Sequence, residues 1–215
     1  MQTVNPFTIA MPAGRMAKES IEFLNRCEVA RFEFPDSSDR ALTFFDVDRQ
    51  FRVLMARSQD VPVYVSQGGA DVGIAGRDVL AERGYDLTVP LELNFGRCHL
   101  AVAAENDRAD DLLTRAHLTV ATKYPRLAMD YFYNKGISCE VIKLHGSIEV
   151  APLLGMADCI VDLVSTGNTL RANGLREIDK ILDSSALLLA NRSVYALHTE
   201  RMNYVLGKLR RVLDA

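Results

Sequence analysis

The sequence predicts an α/β chain of two lobes with a cleft between them, and three observations predict it. Short apolar strands alternate with helical patterns almost from end to end, as in folds built on a mainly parallel sheet. The 215 residues suffice for two small lobes, each with its own core. No linker rich in Gly, Ser or Pro parts the halves, so strands should join the lobes. Lobe I is expected at 1–93 plus 186–215, and lobe II at 94–185.

The elements follow in order. Phe7 to Met11 reads as a strand, and Ala17, Ile21 and Leu24 then repeat as one face of a helix. Phe51 to Met55 is a strand. Asp60 to Gln67 is a helix with Pro62 in its first turn, where the missing N–H costs nothing. Asp71 to Ala75 is a strand, and Asp78 to Arg83 a helix stopped by Gly84. In the second half Cys98 to Ala104 and Leu118 to Thr122 are strands, and Pro125 to Lys135 is a helix closed by Gly136. Glu140 to Leu144, Cys159 to Val164 and Leu187 to Ala190 are strands, with a helix at Ile148 to Leu154. Leu197, Met202, Val205, Leu206, Leu209 and Val212 form the apolar stripe of a final amphipathic helix.

Composition narrows the function. A chain 48% hydrophobic and 25% charged is ordinary for a globular protein. Its net charge of −3 offers no basic field for nucleic acid or a membrane surface, so any phosphate must be held locally. Cys27, Cys98, Cys139 and Cys159 form no C-x-x-C pair, and three of them sit in apolar runs as small hydrophobes. The N-terminal residues lack the pattern of a secretory signal. No apolar run reaches the roughly 18 residues of a membrane span. The expected compartment is the reducing cytoplasm.

One stretch stands out chemically. After the apolar run Cys159-Ile160-Val161 comes DLVSTGNTLRANGL, 162–175. A strand that passes through small hydroxyl residues and a glycine into a helix start makes an anion site, because free backbone N–H groups point outward. Ser165, Thr166 and Thr169 can donate to a phosphate, and Gly167 lets a ligand approach the backbone. Asp162 would repel a phosphate but suits sugar hydroxyls. The plain alternative is a turn with a threonine N-cap.

The segment EVAPLLGMADCIVDLVSTGNTL, 149–170, resembles the signature of the ATP phosphoribosyltransferases. The likeness extends through IAMPAGRM, ADVGIAGRDVL, VATKYPRLAMDYF and KLHGSIEVAPL. With it comes the expectation of a periplasmic-binding-protein-like (type II) architecture. The resemblance implies that Ser165, Thr166, Gly167, Asn168 and Thr169 hold the 5-phosphate of phosphoribosyl pyrophosphate, and that Asp162 meets its ribose hydroxyls. Glu149 fits the signature, with a structural role in its helix's first turn as the alternative.

Other residues gain meaning beside it. In MPAGRM, Arg15 emerges at a helix start, a poor place for a cation unless an anion is near; a solvated surface arginine is the alternative. The family usually carries Lys-Gly-Arg here, and this chain has Ala13-Gly14-Arg15, with Lys18 nearby. The resemblance matches Arg15 to an arginine facing pyrophosphate and makes Arg40 a second clamp, each as a catalytic residue. It sets Asp71, Gly73 and Gly76 on the nucleotide side of the cleft, although close strand–helix packing explains the glycines as well. Lys123, at a strand end, is expected on that nucleotide side as well, and Tyr124 beside it can face the cleft too. His99, His117, His145 and His198 show no ligand spacing, and no protein metal site is expected.

The implied reaction joins ATP to phosphoribosyl pyrophosphate as a step of histidine biosynthesis, with Mg2+ carried mainly by substrate phosphates. A two-lobe binding or sensor protein without catalysis is the alternative, and a non-catalytic subunit a further one. The chain stops at Ala215 without the additional histidine-binding domain of longer family members. The resemblance therefore implies the short form, a homodimer that also assembles with a regulatory subunit similar to histidyl-tRNA synthetase.

Overall fold

The computed structural model describes residues 5–33, 41–197 and 199–214. The chain divides into two compact units. The first comprises Met1–Leu80, Gly84–Gly96 and Ser185–Ala215; the second comprises Ala81–Arg83 and Arg97–Ser184.

The first unit runs β1 (Phe7–Pro12), α1 (Arg15–Arg26), β2 (Thr43–Phe45), β3 (Phe51–Ala56), α2 (Val61–Ser66), β4 (Val72–Gly76), the start of α3 (Arg77–Arg83, whose last three residues count with the second unit) and β5 (Thr88–Glu92). The second holds β6 (Cys98–Glu105), β7 (His117–Thr122), α4 (Pro125–Asn134), β8 (Ser138–Lys143), α5 (Val150–Leu153), β9 (Cys159–Val164), α6 (Asn168–Ala172) and β10 (Leu175–Ser184). The chain then returns to the first unit as β11 (Ala186–Ala190), α7 (Arg192–Leu197) and α8 (Thr199–Leu213).

Two mixed sheets result, where the strand pattern predicted a mainly parallel one. Their orders are β2-β3-β1-β4-β11-β5 and β10-β6-β9-β7-β8. Among the described residues only the pairs β1–β3, β1–β4, β7–β8 and β7–β9 are parallel. Antiparallel strands flank them: β2 turns straight back into β3, and β5, β6, β10 and β11 lie where the chain crosses between units without an intervening helix. β2, β5 and β10 escape the sequence pattern. β10 is a ten-residue half-exposed edge strand, LREIDKILDS, whose charged residues mask its alternation.

The two units repeat one motif. β1, buried along its whole length, sends Phe7, Ile9 and Met11 to one face, where they pack with Ile21, Phe23 and Leu24 of α1 and with Met202, Val205 and Leu209 of α8. Ala10 points to the other face, against Val61 and Val65 of α2. That division is the period-two alternation of a strand. In the second sheet α4 places Ala128 and Phe132 on Leu118 and Val120. Ile148 and Ala151, at α5, take the opposite face with Ala121 and Ile160. Buried Glu82 accepts from the N–H groups of Arg126 (3.0 Å) and Leu127 (3.0 Å), capping the start of α4.

Candidate active site

Strand order decides where a ligand can sit. In the first unit α1 carries the chain from β1 to β3 on one side, and α2 carries it back to β4 on the other. In the second, α4 leads from β7 to β8, and α5 returns to β9 beyond β7. Connections that leave in opposite directions open a crevice at the carboxyl ends of the adjacent parallel strands, the switch point where open α/β sheets bind ligands. Two such points exist, at β1/β4 and at β7/β9.

At the second, Thr122 pairs with Val161, which brings the next residues, Lys123 and Asp162, side by side. Lys123 Nζ lies 3.9 Å from Asp162 Oδ2. Asp162 Oδ1 accepts from the Leu163 N–H at 2.8 Å. The turn after β7 is pinned by Thr122, whose hydroxyl donates to the Val161 carbonyl (2.6 Å) and accepts from the Tyr124 N–H (2.8 Å). Lys123 was grouped from the sequence with Asp71, Gly73 and Gly76; the structure places it in the other unit, with the acid of the hydroxyl loop.

The loop itself leaves β9 directly. Ser165, Thr166, Asn168 and Thr169 are all exposed, and Gly167 is half-buried in a left-handed conformation with φ 71°. The Asn168 N–H reaches Thr166 Oγ1 at 3.4 Å, and the Asn168 side chain accepts from Arg171 Nη2 at 2.6 Å. The sequence reading does not single out Arg171; a cation four residues past the loop glycine is the available signal. The helix expected to lend its dipole is α6, only five residues long. A single turn aligns few peptide dipoles, so the anion-binding groups this loop can offer are its hydroxyls, backbone N–H groups and nearby cations.

At the first switch point the register Ala10–Gly73 brings Ala13 level with Gly76. The Ala13-Gly14-Arg15 turn and Gly76 therefore share the carboxyl edge of that sheet. Gly14 adopts φ 88°, open to glycine. Arg15 is the first residue of α1, and its side chain lies outside the described residues. Arg40 also lies outside them. Lys18 is exposed and faces Glu22 at 3.9 Å.

Asp71 and Gly73 fall elsewhere, for physical reasons. Asp71 precedes β4 beside Thr8, about five residues or ~16 Å along the strand from Gly76. Its carboxylate accepts from the Thr8 N–H at 2.6 Å, and its own N–H donates to the Thr8 carbonyl at 2.9 Å. It ties down the amino edge of the sheet, opposite the switch point. Gly73 faces α2, where a Cβ would meet Val65 at 2.7 Å and Val61 at 2.8 Å. Its lack of a side chain serves strand–helix packing.

The remaining expectations resolve simply. Glu149 is the residue before α5 and makes no side-chain cap bond. Tyr124 is buried. His99 contacts Glu177 at 2.9 Å and His117 contacts Ser138 at 3.2 Å; His145 is exposed, and His198 lies outside the described residues. Among the described residues no three His, Cys, Asp or Glu side chains gather as metal ligands. No helix among them is long and apolar enough to cross a membrane.

Comparison with known proteins completes the picture. Residues 57–211 match the HisG family, ATP phosphoribosyltransferase. An ATP phosphoribosyltransferase of Pyrococcus furiosus is 49% identical over 201 residues, covering 94% of this chain and 96% of the relative. One from Leptospira biflexa (strain Patoc 1) is 48% identical over 194 residues, covering 90% and 94%. A chain of the ATP phosphoribosyl transferase (HisG:HisZ) complex from Thermotoga maritima superposes with a TM-score of 0.82 at 30% identity, covering 97% of this chain and 98% of that one. The periplasmic VFT2 domain of Bordetella pertussis BvgS shares the fold alone, with a TM-score of 0.61 at 13% identity over 96% of this chain and 87% of that one. The α/β, type II architecture is thus that of the periplasmic binding proteins, and the chain belongs to the ATP phosphoribosyltransferase family.

Proposed function

We propose that this chain condenses ATP with 5-phosphoribosyl 1-pyrophosphate to give N1-(5-phosphoribosyl)-ATP and pyrophosphate, a step of histidine biosynthesis in the cytoplasm. The adenine N1 lone pair forms the bond to the ribose C1, and the C1–oxygen bond breaks with its electrons leaving on pyrophosphate. N1 carries no proton to remove, so the reaction needs no general base. Positioning the substrates and stabilising the leaving charge are what the protein must do.

One observation carries this reading: at the β7/β9 switch point, Asp162 with Lys123 beside it runs straight into the hydroxyl loop, in a chain whose relatives bear that activity's name. Asp162 accepts from the ribose hydroxyls. Ser165, Thr166, Asn168 and Thr169 donate to the 5-phosphate, and Gly167 lets it close on the backbone. Arg15 and Arg40 clamp the pyrophosphate, a task suited to planar guanidinium forks. Gly76, level with the Arg15 turn, belongs to the nucleotide side.

Magnesium fits this donor set only as a substrate-borne ion. Among the described residues Asp162 is the carboxylate that adjoins the loop, with one oxygen taken by a backbone N–H and the other facing Lys123. Phosphates and water would supply most of the ligands, and the ion would neutralise charge on pyrophosphate. For partners, the likeness to a chain of a HisG:HisZ complex supports assembly with a regulatory subunit similar to histidyl-tRNA synthetase, and a homodimer of this chain at its core.

The test is product absorbance from ATP and phosphoribosyl pyrophosphate, with and without such a subunit. The isolated chain should turn over without inhibition by histidine; the added subunit should change the rate and bring histidine sensitivity. No turnover in either mixture would leave a binding protein.

A further inference from the structure

Arg171 folds back over the loop from the last turn of α6. Its Nη2 donates to the Thr166 carbonyl at 3.0 Å and to Asn168 Oδ1 at 2.6 Å, so one nitrogen links the residues on either side of Gly167. Its Nη1 lies 3.0 Å from where a Cβ on Gly167 would stand. Gly167 is favoured by its left-handed φ of 71°, and the guanidinium lies against the space a side chain would take. Among the described residues, Nη1 and Nε make no hydrogen bond, which leaves their N–H donors for another acceptor.

The charge balance around the loop makes this edge significant. A phosphate monoester brings a charge of about −1.5 to −2 at pH 7. Asp162 and Lys123 cancel, and the five-residue α6 has little dipole to offer. Among the described residues, Arg171 is the cation in contact with the loop backbone. Its fixed fork can hold two acceptors of the loop and still present donors outward.

We propose that Arg171 is the cation of the phosphate loop: Nη2 of its guanidinium holds Thr166 and Asn168 in their cradle shape, and its remaining N–H donors pair with the phosphomonoester end of the substrate. The inference rests on the reading of this loop as a phosphoribosyl cradle. It assigns a specificity role at the 5-phosphate end, distinct from the arginines facing pyrophosphate.

The test uses two probes that split the substrate, ribose 5-phosphate and inorganic pyrophosphate, binding to the wild-type chain, Arg171→Met and Arg171→Lys. Arg171→Met should weaken ribose 5-phosphate by roughly ten- to hundredfold at pH 7.5, the range for one charge-assisted contact. Pyrophosphate affinity should hold within about twofold. Arg171→Lys should recover part of the loss, since it restores the charge without the fork. The loss should shrink near pH 5, where the phosphate sheds its second charge below its pKa of about 6; a residue that only braced the loop would give the same loss at both pH values. Unchanged ribose 5-phosphate affinity in Arg171→Met, or a pH-independent loss, overturns the proposal while the cradle stands. Failure of the wild-type chain to bind ribose 5-phosphate removes the cradle reading, and the proposal with it.

Discussion

Lys123 Nζ and Asp162 Oδ2 stand 3.9 Å apart at the carboxyl ends of two parallel strands, the one place in that sheet where the chain leaves in both directions. Both side chains are partly shielded, at 34% and 16% exposure. A pair so placed contributes little to stability, about 0–1 kcal/mol, so its position points to ligand chemistry. Asp162→Asn should lower kcat/KM for phosphoribosyl pyrophosphate about 10- to 100-fold, the worth of a hydrogen bond to a charged group. ATP affinity and melting temperature should move little. A fall of the same size in ATP affinity would take Asp162 away from the ribose.

The loop hydroxyls can be tested through ligand-induced stability. Phosphoribosyl pyrophosphate at about a hundredfold over its dissociation constant should stabilise the fold by ~2.7 kcal/mol. Thr166 and Thr169 are exposed, so replacing both with valine should leave the free protein's stability nearly unchanged while removing most of that gain. A melting shift equal to the wild type's in the double variant would retire the cradle.

Asp71 and Gly73 should behave as structural residues. Asp71→Ala strips the Thr8 N–H of its carboxylate acceptor and should cost about 1–3 kcal/mol. Gly73→Ala forces a methyl into Val61 and Val65 and should cost about 1–3 kcal/mol by overpacking. Each folded variant should keep its kcat. Loss of kcat in Asp71→Ala with an unchanged melting temperature would return Asp71 to the nucleotide side.

Burial also sets a pH response. The Cys159 thiol is pushed up to about 12, chiefly by its burial, with the negative charge of Asp158 adding. Below about pH 8.5 folded and unfolded chains both keep this proton, and its contribution is fully present. Above that the unfolded thiol ionises first, so stability should fall by up to ~1.4 kcal/mol per pH unit until the folded thiol ionises too. Urea titrations between pH 8.5 and 10 should show a shallower decline for Cys159→Ala. Parallel declines would show that other groups govern the alkaline limit.

Much of the candidate site was legible in local sequence. Ser165 to Thr169 follow β9 without a gap, and apolar periodicity alone located β1, β4, β7 and β9 to within a residue or two. Local reading succeeds there because hydroxyls on one loop stay together however the sheets form, and strand alternation reports burial directly. It could not say which end of a strand matters. Asp71 and Gly76 lie in one motif, yet strand direction puts them at opposite edges of the sheet, where one closes the fold and the other reaches a switch point. Nor could it join Lys123 to Asp162, 39 residues apart, because their contact exists only through the parallel register of β7 and β9. Residue types and loop chemistry are local properties that the sequence determined by itself. Which charges meet depends on strand order, direction and register, which long-range backbone pairing decides only when the sheet is assembled.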